Sequence, residues 1–191
     1  FVATGPGGVF KSTNNGTSWT AVNTGLGSTD VMSLSVSGAS LFAGTYGGVF
    51  LSTNNGTSWT LANNGFNSQD VLSLAYSGTN IFAGTYYGVY LSSNSGTSWE
   101  EMNGGLTNLT VQALTSSGTN IFAGTLGGIF LTTNAGALWT AVNNGLTNLS
   151  VKAFAVSGTT IFAGTSGGVF MSINNGTSWT AVNSGLTNLS V

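Results

Sequence analysis

Trp19, Trp59, Trp99, Trp139 and Trp179 stand at a constant spacing of 40 residues, with no insertion between them. Gly16, Gly56, Gly96, Gly136 and Gly176 keep the same register, as do Asn23, Asn63, Asn103, Asn143 and Asn183. So do Val31, Val71, Val111, Val151 and Val191. A fixed period in the range of about 20–50 residues marks a repeat architecture, in which each unit buries its apolar face only against its neighbours. The fold therefore has to be read from one unit and then multiplied.

Residues 31–70 serve as that unit. Val31 to Ser37 alternates larger residues (Met32, Leu34, Val36) with Ser33 and Ser35, the period-two pattern of a strand. Ser37-Gly38-Ala39-Ser40 is a turn, and Leu41 to Thr45 a second strand. Gly47-Gly48 signals a tight hairpin leading into a third strand, Val49 to Thr53. Asn54-Asn55-Gly56-Thr57 is another turn, since Asn and Gly accept left-handed backbone. Ser58 to Ala62 is the fourth strand, and 63–70 returns the chain to the next unit. Glycine recurs too often for helices, and no 3.6-residue stripe persists. A coiled β-solenoid uses shorter, parallel coils, whereas these turns demand antiparallel hairpins. The expectation is an all-β fold: a β-propeller of five ~40-residue four-stranded antiparallel blades, the first incomplete. It forms a single domain over 1–191, with units 1–30 (partial), 31–70, 71–110, 111–150 and 151–190.

Residue size orders the strands within a blade. The strand opening at Val31, Val71, Val111 or Val151 carries small residues (Ser33, Ala75, Ala113, Ala153) and suits the crowded axis. Phe42, Phe50, Trp59 and their equivalents belong to the wider outer part, each ring burying roughly 150–250 Å² between blades.

The third turn reads Ser52-Thr53-Asn54-Asn55-Gly56-Thr57-Ser58-Trp59, and matching octets begin at Ser12, Ser92, Thr132 and Ser172. This resembles the Asp-box (BNR) hairpin, Ser-x-Asp-x-Gly-x-Thr-Trp, of sialidase-type and related propellers. The unit as a whole is similar to bacterial secreted repeats related to photosystem-assembly-factor-type and sortilin-type propellers. The resemblance covers the chain and implies a propeller with the motif tryptophan packed in the blade. It also implies an extracellular or cell-surface bacterial setting. Two departures stand out: Asn14, Asn54, Asn94, Asn134 and Asn174 replace the aspartate, and Leu138 replaces the hydroxyl residue in the fourth unit.

Only 3% of the residues are charged, against about 25% in ordinary domains. Histidine and cysteine are absent, and Lys11 and Lys152 are the only basic side chains. Two scattered lysines cannot neutralise a phosphate backbone, so nucleic acid is excluded as a partner. No apolar stretch is long enough for a membrane span. Ser-His-Asp, Cys-His and histidine-metal chemistry lack their residues. The arginine cluster of sialidase-type enzymes is missing too. No cofactor and no metal are expected, and the chain is read as non-enzymatic. One catalytic alternative stays open. Asp30 and Asp70 hold the same register before successive inner strands, and glycoside hydrolysis needs only two carboxyl groups.

Strand parity puts Asp30 and Asp70 on the same face as the turn after strand two. That turn carries Pro6, Tyr46, Tyr86, Leu126 and Ser166, with Tyr87 beside Tyr86. Asp30, Tyr46, Asp70, Tyr86 and Tyr87 are therefore the candidate ligand-binding residues, suited to a glycan or protein ligand: ring faces to stack, carboxylates to accept hydroxyls. Lys152 and Gln112 read as channel-edge substitutions. The alternative function is a structural scaffold or surface-fibre repeat with no small ligand. The incomplete first blade leaves an open edge, which invites self-association.

Overall fold

The computed structural model describes residues 1–67 and 70–191. Every regular element in these residues is a strand, and the strands form five antiparallel sheets. The first sheet holds β1 (Val2–Thr4), β2 (Gly8–Lys11) and β3 (Thr20–Ala21). The second holds β4 (Val31–Ser37), β5 (Ser40–Thr45), β6 (Gly48–Ser52) and β7 (Thr60–Leu61). In the third are β8 (Val71–Ser77), β9 (Asn80–Thr85), β10 (Gly88–Ser92) and β11 (Glu100–Glu101). The fourth has β12 (Val111–Ser117), β13 (Asn120–Thr125), β14 (Gly128–Thr132) and β15 (Thr140–Ala141). The fifth has β16 (Val151–Ser157), β17 (Thr160–Thr165), β18 (Gly168–Ser172) and β19 (Thr180–Ala181). Within each sheet the strands follow chain order, so each is a simple meander. These are the blades of a β-propeller, arranged as a partial ring, with the first one strand short. Residues 68 and 69, within the expected connection 63–70, lie outside the described residues.

The first strand of each complete blade faces the axis: β4 packs on β8, β8 on β12 and β12 on β16. Ala75 and Ala113 are buried there, as their size demands, whereas Ala153 on the last inner strand is exposed. The hairpin from β5 to β6 is closed by side chains. Thr45 Oγ1 donates to the Gly48 carbonyl at 2.9 Å and accepts from the Gly47 amide at 2.8 Å. Asn63 then bridges back, accepting from the Val49 amide (2.8 Å) and donating to the Gly47 carbonyl (3.2 Å). Gly48 is required twice over, for φ is +107° and any Cβ would strike the Asn63 amide. The recurrent Asn23, Asn103, Asn143 and Asn183 make the same latch to Val9, Val89, Ile129 and Val169.

The fourth strand is shorter than the expected Ser58 to Ala62. Only Thr60 and Leu61 pair, because the two preceding amides are used elsewhere. Ser58 N–H donates to Asn54 Oδ1, closing the turn, and Trp59 N–H donates to the Thr24 carbonyl of the preceding blade. The indole follows, with Trp59 Nε1 donating to the Val22 carbonyl at 2.7 Å. Trp99, Trp139 and Trp179 repeat both bonds, to Ala62 and Asn64, Met102 and Gly104, and Val142 and Asn144 respectively. These four indoles are 2–3% exposed. Trp19 departs from the expectation that every motif tryptophan is packed: it is 46% exposed.

Candidate functional site

All four complete inner strands share an irregularity. The pairing of β4 with β5 steps from Val31–Thr45 to Ser33–Gly44, which leaves Met32 without an opposite residue. The same step isolates Leu72, Gln112 and Lys152. Such a bulge re-aims the extra side chain. Here Met32, Leu72, Gln112 and Lys152, from four blades, line one open cavity of about 230 Å³ together with Tyr86. The bulges thus build a mouth at one end of the axis. Its floor differs in every blade: thioether, isobutyl, carboxamide and ammonium.

The rim carries most of the residues that sequence reasoning singled out. Asp30 and Asp70 stand at the entry to β4 and β8, both half-buried. Tyr46 and Tyr86 occupy the turns after β5 and β9 and are 43% and 42% exposed. The backbone ties rim to strand, since the Tyr46 amide donates to the Asp30 carbonyl at 3.4 Å. The Tyr46 hydroxyl is held above the usual phenol range, chiefly by the neighbouring Tyr86 phenol, with slight desolvation and the Asp70 and Asp30 carboxylates adding to it. Of Tyr46, Tyr86, Asp30 and Asp70, Tyr86 alone is in the lining of the cavity. Tyr87 does not line the cavity: its amide donates to Thr85 Oγ1 and its carbonyl accepts from Asn103 Nδ2, and its ring is 63% exposed.

Gln112 and Lys152, expected as channel-edge substitutions, lie in the mouth itself. Gln112 Oε1 is buried and has no hydrogen-bond partner. Their signal in the sequence is the register 32, 72, 112, 152, which is invariant in spacing and different in residue at each step. A second cavity, about 290 Å³, opens on the opposite face between the third and fourth blades, floored by Phe82 and edged by Asn80, Asn134 and Ala135. Ala135 stands where the other blades have Asn15, Asn55, Ser95 and Asn175, so a missing side chain widens that cleft. No group of three or more His, Cys, Asp or Glu side chains that could hold a metal occurs among the described residues. No helix among them is long and apolar enough to cross a membrane.

No protein-family model and no curated protein matches this chain. Solved structures do match in fold. An ancestral GH74 enzyme superposes on 98% of the chain with a TM-score of 0.79 at 24% identity, and the match takes up 30% of that enzyme. An extracellular domain of a hybrid two-component system from B. thetaiotaomicron covers 92% of the chain at 17% identity, with a TM-score of 0.78 over 25% of its own length. The protein YCF48, bound to a D1 peptide, covers 76% of the chain at 15% identity, with a TM-score of 0.61 over 52% of its length. The chain thus spans under a third of the first two structures. At these identities the likeness is one of fold: the chain is a partial β-propeller.

Proposed function

We propose that this chain is a non-enzymatic binding module that takes a glycan or a protein segment at the axial mouth, in an extracellular or cell-surface setting. The observation that carries the reading is an open cavity of about 230 Å³ lined by Tyr86 and by Met32, Leu72, Gln112 and Lys152 of four successive inner strands, with the Tyr46 phenol beside that of Tyr86. Phenol faces stack on sugar rings or peptide planes, and carboxylates accept their hydroxyl or amide protons. Ligand pockets commonly combine an apolar lining with a few such polar groups, and Met32 and Leu72 supply the apolar part. The matched structures are consistent in kind: one is the extracellular domain of a hybrid two-component system and one is bound to a peptide. The Asn-containing turns fit an Asp-box lineage in which the hairpin survives without its charge.

A broad glycan-array screen, run beside the Tyr46→Ala/Tyr86→Ala double variant, tests the proposal. Binding by the parent that disappears in the variant supports a lectin-like module with its site on these two blades. No binding by the parent removes the glycan reading and leaves a protein ligand or a scaffold role. Glycoside hydrolysis by Asp30 and Asp70 is a separate outcome, read as turnover that is abolished in Asp30→Asn.

A further inference from the structure

The asparagine turns of the second, third and fifth blades close in one way, and the turn of the fourth closes in another. In the common form the asparagine Nδ2 donates to the serine four residues on. Asn54 reaches Ser58, Asn94 reaches Ser98 and Asn174 reaches Ser178, at 2.8, 2.8 and 2.9 Å. The threonine before that serine, Thr57, Thr97 or Thr177, donates its hydroxyl to the asparagine carbonyl. The fourth turn has Ala137 and Leu138 at those two places. Asn134 Oδ1 still accepts from Thr132 Oγ1 and the Leu138 amide, but its Nδ2 has no partner among the described residues. The next residue is Ala135, at a φ of +54°, where Asn15, Asn55 and Asn175 stand in other blades at +55°, +58° and +54°. Asparagine tolerates this left-handed region better than alanine does.

The fourth turn also stands farther from the blade before it. A Cβ on Gly96 or Gly176 would lie 2.7 or 2.8 Å from the ring of Phe42 or Phe122, whereas one on Gly136 would lie 3.5 Å from Phe82. Met102, in the register of Val22, Ala62, Val142 and Val182, comes within 3.2 Å of the same point. These departures meet at the cavity of about 290 Å³ between the third and fourth blades, both of them complete. The hydroxyls of Ser77, Thr119 and Thr133 and the carboxamides of Asn80 and Asn134 line it, and no charged side chain does.

We propose that this cleft is a second binding site, separate from the axial mouth, and that it takes a single neutral sugar ring. Uncharged donors and acceptors can replace the water around sugar hydroxyls, but they lack the counter-charge that a phosphate, sulfate or carboxylate needs on leaving water. Asn134 Nδ2 donates to a ring hydroxyl in place of the missing serine. Ala135 supplies the space, which an asparagine side chain would fill. The volume lies just under the range of about 300–1,000 Å³ usual for ligand pockets, and so suits one ring rather than a chain.

The test is amide-resolved NMR of the chain titrated with glucose, galactose and mannose, with glucuronic acid as the anionic counterpart. Expected is a saturable shift of the backbone amides of 133–136 and of the Asn134 side-chain amide, with a millimolar Kd for at least one neutral sugar. Ala135→Asn restores the residue of three other blades at a φ it accepts, so it keeps the fold and should weaken binding at least about tenfold. Leu138→Ser returns a partner to Asn134 Nδ2 and should weaken binding about threefold. The Tyr46→Ala/Tyr86→Ala variant should leave the titration unchanged, which separates this site from the axial mouth. No saturable shift at these amides with any neutral sugar overturns the proposal. So does binding that survives Ala135→Asn, that is lost with the two tyrosines, or that is tighter for glucuronic acid.

Discussion

Tyr76 carries a hydroxyl that is buried without a hydrogen-bond partner, and Ser35 lies beside it without completing a bond. Burial holds its ionisation well above the ordinary phenol range. An unmet buried hydroxyl costs about 1–3 kcal/mol, so Tyr76→Phe should raise the urea midpoint by the equivalent of about 1 kcal/mol. The raised phenol also sets a pH dependence. Its contribution to stability is intact below about pH 10, the ordinary phenol value, and is lost as pH climbs towards the raised one. Alkaline unfolding should therefore come later in Tyr76→Phe than in the parent. Asn54 makes the opposite case. It accepts from Ser52 Oγ and the Ser58 amide and donates to Ser58 Oγ. Removal in Asn54→Ala should cost about 1–2 kcal/mol, while Asn54→Asp keeps the acceptor and should change the midpoint little. The turn role of Asn54 was legible in the sequence, because an Asn at the motif's aspartate position can still make the local side-chain bonds that close the turn. The latch role of Asn63 was not: recurrence announced importance, but the bond to an amide 14 residues back exists only once the third strand and the return loop lie side by side.

Strands one to three of each blade could be read from alternation and turn residues almost to their ends. The fourth could not, since its first two amides are diverted to a turn and to another blade. The bulge was equally hidden, because an extra residue is defined only against a partner strand. That is why Asp30, Tyr46, Asp70 and Tyr86 were placed on one face from parity alone, while Gln112 and Lys152 were left at the channel edge. The tryptophan that ends the third turn has its energetic weight set by the neighbouring blade. Trp59→Ala should cost about 3–5 kcal/mol, the range for large core truncations, by deleting a buried ring and orphaning the Val22 carbonyl. Trp19→Ala, chemically the same change, should cost close to nothing in thermal unfolding of dilute chain. Leu138 gives up the hydroxyl that Asn54 bonds in its own blade, yet its amide still donates to Asn134 Oδ1 at 3.1 Å, so the turn survives.

Across the whole molecule, each sheet packs on its sequence neighbours, and the end sheets keep one uncovered face each. Repetition revealed the number and kind of blades. Whether the ends meet depends on small rotations accumulated over four interfaces, which no local pattern encodes. Stability in such an array is a sum of blade terms and interface terms. In hydrogen exchange, the amides of Trp59, Trp99, Trp139 and Trp179 should be strongly protected and that of Trp19 weakly, a ranking that amide-resolved NMR can check. The tryptophan bonds also have a direction. Each blade donates its amide and indole backwards, to carbonyls 35 and 37 residues earlier in the chain. A chain leaving the ribosome therefore finds the acceptor of each new blade already synthesised and folded behind it, and the array can be fastened one blade at a time as translation proceeds.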